Sequence, residues 1–226
     1  MPNKSRFQRI DGSVCAPAGF QAAAVFCDIK TLGTGKGSDK GAKPDLALIV
    51  SDEPATVAGL FTTNKVCAAP VKLSAKVAAS GKARAVVVNS GNANACTGAQ
   101  GMRDAKAMAR LTASSVAAVD LSRGSGAKAD DRRKIENATV IDRRYDKVLP
   151  NDVLVCSTGR IGIPMPMKNV ERGIRDCAPR LLRSAEQARH VAEAIMTSDT
   201  RRKEVAVEFR IDGKAVRIGG ICKGAG

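Results

Sequence analysis

The chain has 226 residues, 44% of them hydrophobic, enough to bury a core in one or two domains. With no Trp, one Tyr and five Phe, that core must be built from Ala, Val, Ile and Leu in closely packed α/β layers. A net charge of +15 raises nucleic-acid binding, yet the short runs at 132–134, 143–144 and 201–203 are accompanied by acids and lack aromatics to stack bases. A solvated basic surface is the reading these runs favour, and a basic field also attracts small dicarboxylates.

The longest apolar runs are strand-sized and fall far below the roughly 20 residues of a membrane helix. The first twenty residues carry Lys4, Arg6, Arg9 and Asp11 and have no secretory core, so the chain reads as cytoplasmic with no membrane span. Seven cysteines, from Cys15 to Cys222, show no C-x-x-C spacing, and His190 is the sole histidine; no metal site is expected, and the thiols read as buried and reduced.

In chain order, residues 31–43 (TLGTGKGSDKGAK) form a Gly- and Lys-rich surface loop whose glycines at 33, 35 and 37 fit neither the Walker nor the dinucleotide pattern. Residues 45–51 and 83–89 are short β-branched runs bounded by turn residues, the pattern of central strands buried on both faces. After the second, the Asn-, Ser- and Gly-rich stretch 88–98 has side-chain amides that can cap a helix or bind a ligand.

From Gly101, the residues Met102, Ala105, Met108, Ala109, Thr112, Val116 and Val119 mark an amphipathic helix. Residues 120–149 are polar and weakly periodic, a second surface excursion. Residues 153–156 are another apolar strand, running into Ser157-Thr158-Gly159. Val170, Ile174, Cys177, Ala178 and Leu181 mark a second helix, and Ser184 with Gln187 forms a capping-box signature for a third carrying Ala188, Val191, Ala192 and Ile195. Val205, Val207, Phe209 and Ile211 alternate ahead of Asp212-Gly213, which predicts a hairpin with a type I′ turn.

Three segments have the strand-then-turn character that carries chemistry: 88–98, 156–162, and the pair 196–200 with 219–226. Adjacent donors at Thr158 and Gly159 could face a developing oxyanion, and Lys223 between glycines could hold a carboxylate. His190 lies mid-helix with no Gly-x-Ser-x-Gly elbow anywhere, so an imidazole-based triad is not expected; an N-terminal threonine using its own amine as base is one alternative.

Taken together, the segments 44–52 (PDLALIVSD), 58–64 (AGLFTTN), Ala69-Pro70, 87–98 (VVNSGNANACTG), 157–162 (STGRIG), 194–200 (AIMTSDT) and 218–226 (IGGICKGAG) occur in the order seen in the bifunctional ornithine acetyltransferase / glutamate N-acetyltransferase family of arginine biosynthesis. The chain resembles the N-terminal, alpha-chain portion of that family. The resemblance implies a layered α-β sandwich, a single α/β domain over 1–226, with the excursions at about 31–43 and 120–149.

It further implies acetyl transfer from N2-acetylornithine to glutamate in a ping-pong cycle, with acetyl-CoA as a co-substrate in bifunctional members and no bound cofactor. Thr158 and Gly159 match the family's oxyanion-hole pair; Thr197 and Lys223 match substrate-binding positions, the motif reading Thr-Ser-Asp-Thr where the family has Thr-Thr-Asp-Thr. Self-cleavage at an Ala-Thr bond frees the family's Thr nucleophile, which lies beyond Gly226. The chain alone is therefore expected to be inactive, and, with the family's later strands absent and sheet edges exposed, aggregation-prone. Its implied partner is a Thr-started beta chain in a heterotetramer of two alpha and two beta chains. The alternative is a non-catalytic orphan fragment or a basic nucleic-acid-binding module.

Overall fold

The structure is a computed structural model and describes residues 7–31, 43–124 and 148–224. Its centre is a four-stranded sheet in the order β2-β3-β4-β5, formed by β2 (Phe20–Val25), β3 (Leu46–Thr56), β4 (Lys82–Asn92) and β5 (Val153–Arg160). The pairs β2/β3 and β3/β4 are antiparallel and β4/β5 is parallel. The two runs expected to be central strands are β3 and β4, while β5 is an edge.

Both faces of this sheet are covered, which is why its strands lack a polar alternation. Ala23, Val25, Leu46, Leu48 and Val50 join one core with α2 (Gly98–Gly124) and α3 (Met167–Cys177) through Met108, Val116, Val170 and Ile174. Ala22, Ala24 and Ala47 point the other way, onto Ala188, Val191 and Ala194 of α4 (Ala185–Ala194). The fold is thus a layered α/β arrangement, and every residue of the three expected helical stripes is fully or partly buried. The first helix continues past Asp120 to Gly124, into the stretch read as a surface excursion. Residues 125–147 of that excursion, and residues 32–42 of the Gly/Lys loop, lie outside the described residues.

Ser184 caps α4 as expected, its hydroxyl accepting from Gln187 N at 3.1 Å. The reciprocal half of the capping box is not made, since Gln187 Oε1 is buried without a partner. One helix escaped the sequence, α1 (Ala69–Ala78), which lies along β5. There Ser74 takes the place of a strand partner: its hydroxyl donates to Val155 O at 2.7 Å and accepts from Val155 N at 2.9 Å. The β5 edge is thereby capped at that point.

A second sheet, β1-β6-β7, joins β1 (Gln8–Arg9) to the hairpin of β6 (Lys203–Ile211) and β7 (Lys214–Cys222). Its turn has positive φ at Asp212 (47°) and Gly213 (75°), as a type I′ turn requires. The alternating apolar residues are only partly covered, Val207 and Phe209 being half-buried, the latter edge-on to Phe7 at 5.1 Å. Val205, Ile211 and Ile218 are exposed, and the small residue Ala206 on the opposite face is the one buried. That face is held close by Gly219, whose added Cβ would lie 1.9 Å from Ser13 O. The segment joining β3 to α1 likewise leaves Leu60 and Val66 uncovered.

The thiols divide. All seven are free, but only Cys15, Cys27 and Cys177 are buried, while Cys96, Cys156 and Cys222 are exposed, correcting the expectation of a uniformly buried set. Burial pushes the Cys177 thiol up to about 12.

Candidate functional site

The carboxyl ends of β4 and β5 lie side by side with Gly91 opposite Gly159, at an irregularity in the ladder. Gly159 has φ +134°, and a Cβ there would sit 2.3 Å from the Gly91 carbonyl carbon and 2.6 Å from Asn92 N. No other residue fits without moving the loop. This close approach leaves Gly159 exposed in the lining of an open cleft, with Thr158 directly before it in the chain.

Lys223, at the end of β7, reaches this point. Its ammonium donates to Thr158 Oγ1 at 2.8 Å and to Thr197 Oγ1 at 2.9 Å. An ammonium has donors only, so both hydroxyl oxygens must accept, and each hydroxyl hydrogen is directed away from the lysine. Two hydroxyl donors and one cation therefore converge, a set suited to receiving negative charge. The structure brings Thr158, Thr197 and Lys223 together and puts Gly159 beside them.

Behind the cluster is a residue the sequence did not single out. The Asp199 side chain, 1% exposed, accepts from Lys203 Nζ at 2.8 Å and Gly224 N at 2.8 Å through Oδ1, and from Thr197 N at 3.3 Å through Oδ2. The Lys203 hydrogen bond, then that of Gly224 N–H, holds its carboxyl well below the usual carboxylate range. Its only signal in the sequence was its place within 196–200.

The cleft has a volume of about 1210 Å³, and its lining includes Gly91, Gly159 and Thr197. Its three acids are occupied: Glu193 and Glu204 pair with Arg202 at 2.6 and 3.4 Å, and Asp199 pairs with Lys203. Arg9, Lys43, Arg160 and Arg201 line the same cleft and have no ion-pair partner among the described residues. The field inside is positive, which concentrates small anions there. Of the basic runs noted in the sequence, those at 132–134 and 143–144 lie outside the described residues, and in 201–203 both Arg202 and Lys203 are engaged in ion pairs.

The Asn-rich loop after β4 is built differently. Asn92 donates to Ile163 O and Pro164 O at 3.0 and 3.1 Å and accepts from Asn94 N at 2.8 Å; Asn94 donates to Gly101 O at 2.8 Å and accepts from Thr97 Oγ1 at 2.7 Å. These amides tie the end of β4 to the start of α2 and to the segment after β5 through backbone carbonyls, and neither Asn92 nor Asn94 accepts from a helix N–H. His190 is half-buried on α4, away from the cluster's hydrogen bonds. Among the described residues, no group of His, Cys, Asp and Glu is arranged to hold a metal ion, and no helix is long and apolar enough to cross a membrane.

The chain is thus a layered α/β protein with a hydroxyl–lysine cluster and a positively lined cleft at the ends of its two parallel strands. The chain belongs to the ArgJ family, whose model matches residues 22–226. It is 41% identical over 217 residues to the arginine biosynthesis bifunctional protein ArgJ of Caldanaerobacter subterraneus subsp. tengcongensis, covering 96% of this chain and 43% of that protein. It is 43% identical over 215 residues to the protein of the same name from Symbiobacterium thermophilum, covering 95% and 44%. The chain thus spans less than half the length of these curated relatives.

Among solved structures it resembles the arginine biosynthesis bifunctional protein ArgJ of Bacillus halodurans, with a TM-score of 0.75 and 32% identity over 97% of this chain and 94% of that one. It resembles equally the ornithine acetyltransferase of Mycobacterium tuberculosis complexed with ornithine, with a TM-score of 0.75 and 33% identity over 97% and 96%.

Proposed function

We propose that this chain supplies the anion-stabilising half of an acetyltransferase of arginine biosynthesis, which moves an acetyl group from N2-acetylornithine to glutamate. The observation that carries the proposal is the Lys223 ammonium seated on the Thr158 and Thr197 hydroxyls, 2.8 and 2.9 Å away. When a hydroxyl nucleophile attacks the acetyl carbonyl, negative charge develops on its oxygen. Thr158 O–H and Gly159 N–H receive that charge, and collapse of the intermediate expels the ornithine amine, protonated by the base that activated the nucleophile. The amine of glutamate then attacks the acetyl-enzyme in the reverse sense. Thr197 and Lys223 hold the substrate, and the positive cleft draws in glutamate or the acetyl-CoA of a bifunctional cycle.

In this reading the threonine nucleophile belongs to the part of the relatives that the chain does not span. Two observations support a two-chain organisation. The chain covers 43% and 44% of the curated relatives but 94% and 96% of the solved chains. Exposed Leu60, Val66, Val205, Ile211 and Ile218 are also apolar surface of the kind a second polypeptide covers. The test is to co-purify the chain with a Thr-started polypeptide matching the second half of its relatives and to assay transfer from N2-acetylornithine to glutamate. Transfer that needs both chains supports the proposal; a stable complex without transfer, or no complex at all, overturns it.

A further inference from the structure

Lys203↔Cys222 is the last rung of the β6/β7 ladder, so Lys223 and Gly224 project beyond the sheet with no strand partner to fix them. A lysine there has a long flexible stem, and nothing in the ladder dictates where its ammonium goes. What fixes it is a carboxylate. Asp199 lies in no helix or strand, and its polar contacts reach both segments that build the site. Oδ1 accepts from Gly224 N, directly after Lys223, and Oδ2 accepts from Thr197 N, whose hydroxyl in turn accepts from Lys223. Lys203 completes the tie, its ammonium donating both to Asp199 Oδ1 and to Gly224 O.

We infer that Asp199 is the positioning residue of this site: its buried carboxylate clasps the turn bearing Thr197 to the strand end bearing Lys223, and so sets the lysine ammonium on the Thr158 and Thr197 hydroxyls. The significance of the clasp rests on the proposed role of Thr158 and Lys223, but its existence does not. An asparagine at 199 keeps the shape and loses the match. Its NH₂ group must face one of three donors, Thr197 N, Gly224 N or the Lys203 ammonium, so at least one tie becomes donor against donor.

The experiment uses the 226-residue chain with ¹³C-labelled threonine methyl groups. The Thr158 and Thr197 methyl signals are assigned with T158V and T197V, and K223M supplies their positions once the ammonium is gone. In D199N both signals are expected to move more than half of the way toward their K223M positions. In K203M, which removes one tie and keeps the carboxylate, they should move in the same direction by less. D52N, removing a surface carboxylate paired with Arg183, should leave both in place.

The telling signal is that of Thr158, since no hydrogen bond or ion pair joins it to Asp199. A folded D199N in which Thr197 shifts alone overturns the inference, because Asp199 would then support only its own turn. If D199N does not fold, K203M decides: an unmoved Thr158 signal overturns it. No substrate or second chain is needed, so this result and the outcome of the transfer assay are independent.

Discussion

Two strands end side by side on the large sheet, and they dispose of their polar groups in opposite ways. The end of β4 and the loop after it are rich in Asn and Ser, but Asn92 and Asn94 are fully buried and bonded to backbone. Ser90 likewise donates to Ala194 O at 2.5 Å, tying the loop to α4. The end of β5 has fewer polar side chains, and its Thr158 meets a lysine from 65 residues away beside Gly159, which lines an open positive cleft. Density of polar residues therefore does not locate the site. Whether each donor is consumed within the fold or left facing the cleft does.

The largest effect expected from breaking this contrast is on activity. With the proposed second chain present, T158V should lower kcat by about 10²–10³, the usual cost of one oxyanion donor, while the melting temperature stays near that of the parent chain. A steady-state assay and a thermal melt check both halves; an unchanged kcat would remove Thr158 from the chemistry.

The converse variant, Asn92→Ala, should act on stability. It strands Asn94 N and two carbonyls, at about 1–3 kcal/mol for each group left without a partner. Urea titration would measure it. Parent-like stability together with lost substrate binding would instead make Asn92 a ligand.

A smaller effect tests a single cap. Ser184→Ala should cost about 1 kcal/mol, because its hydroxyl serves Gln187 N alone and the reciprocal bond is missing. A loss of several kcal/mol would mean that Ser184 does more than cap α4.

The smallest effect is expected from mild acid. The folded-state pKa of Asp199 is depressed, so its contribution is fully present above the ordinary aspartate value of about 3.9 and is lost only as pH falls through the lower folded value. The difference in melting temperature between the parent chain and D199N should thus be constant from about pH 5 to 8 and shrink below about pH 4. A difference that already disappears near pH 6 would contradict the clasp.

The layers were legible in the sequence where side-chain chemistry was distinctive. The β-branched runs of β3, β4 and β5 and the Asp212-Gly213 turn marked themselves, and the three helical stripes were buried where expected. Strand β2 went unread because its FQAAAV run holds one β-branched residue, and α1 because only Val77 among its buried residues is a large hydrophobe. The hairpin's alternation was real but its face is only half covered, and the most buried residue, Ala206, lies on the other face beside Gly219, where there is almost no hydrophobic signature.

At the site, Thr158, Gly159 and Lys223 stood out as candidates from their turns, Thr197 was named through the family resemblance, and local spacing alone could not join them. Their contacts span 65 and 26 residues, which only the fold supplies. Asp199 was invisible for a related reason. A carboxylate between two hydroxyl residues reads as surface until the strand end carrying Gly224 covers it.

The most direct test of the account is a crystal structure of the chain with the proposed Thr-started partner, soaked with N2-acetylornithine. The account predicts the acetyl oxygen within roughly 2.7–3.1 Å of both Thr158 Oγ1 and Gly159 N, with Lys223 still on the Thr158 hydroxyl. An acetyl group held instead by the Asn89–Asn94 loop, or one bound with Lys223 swung away from Thr158, would contradict it.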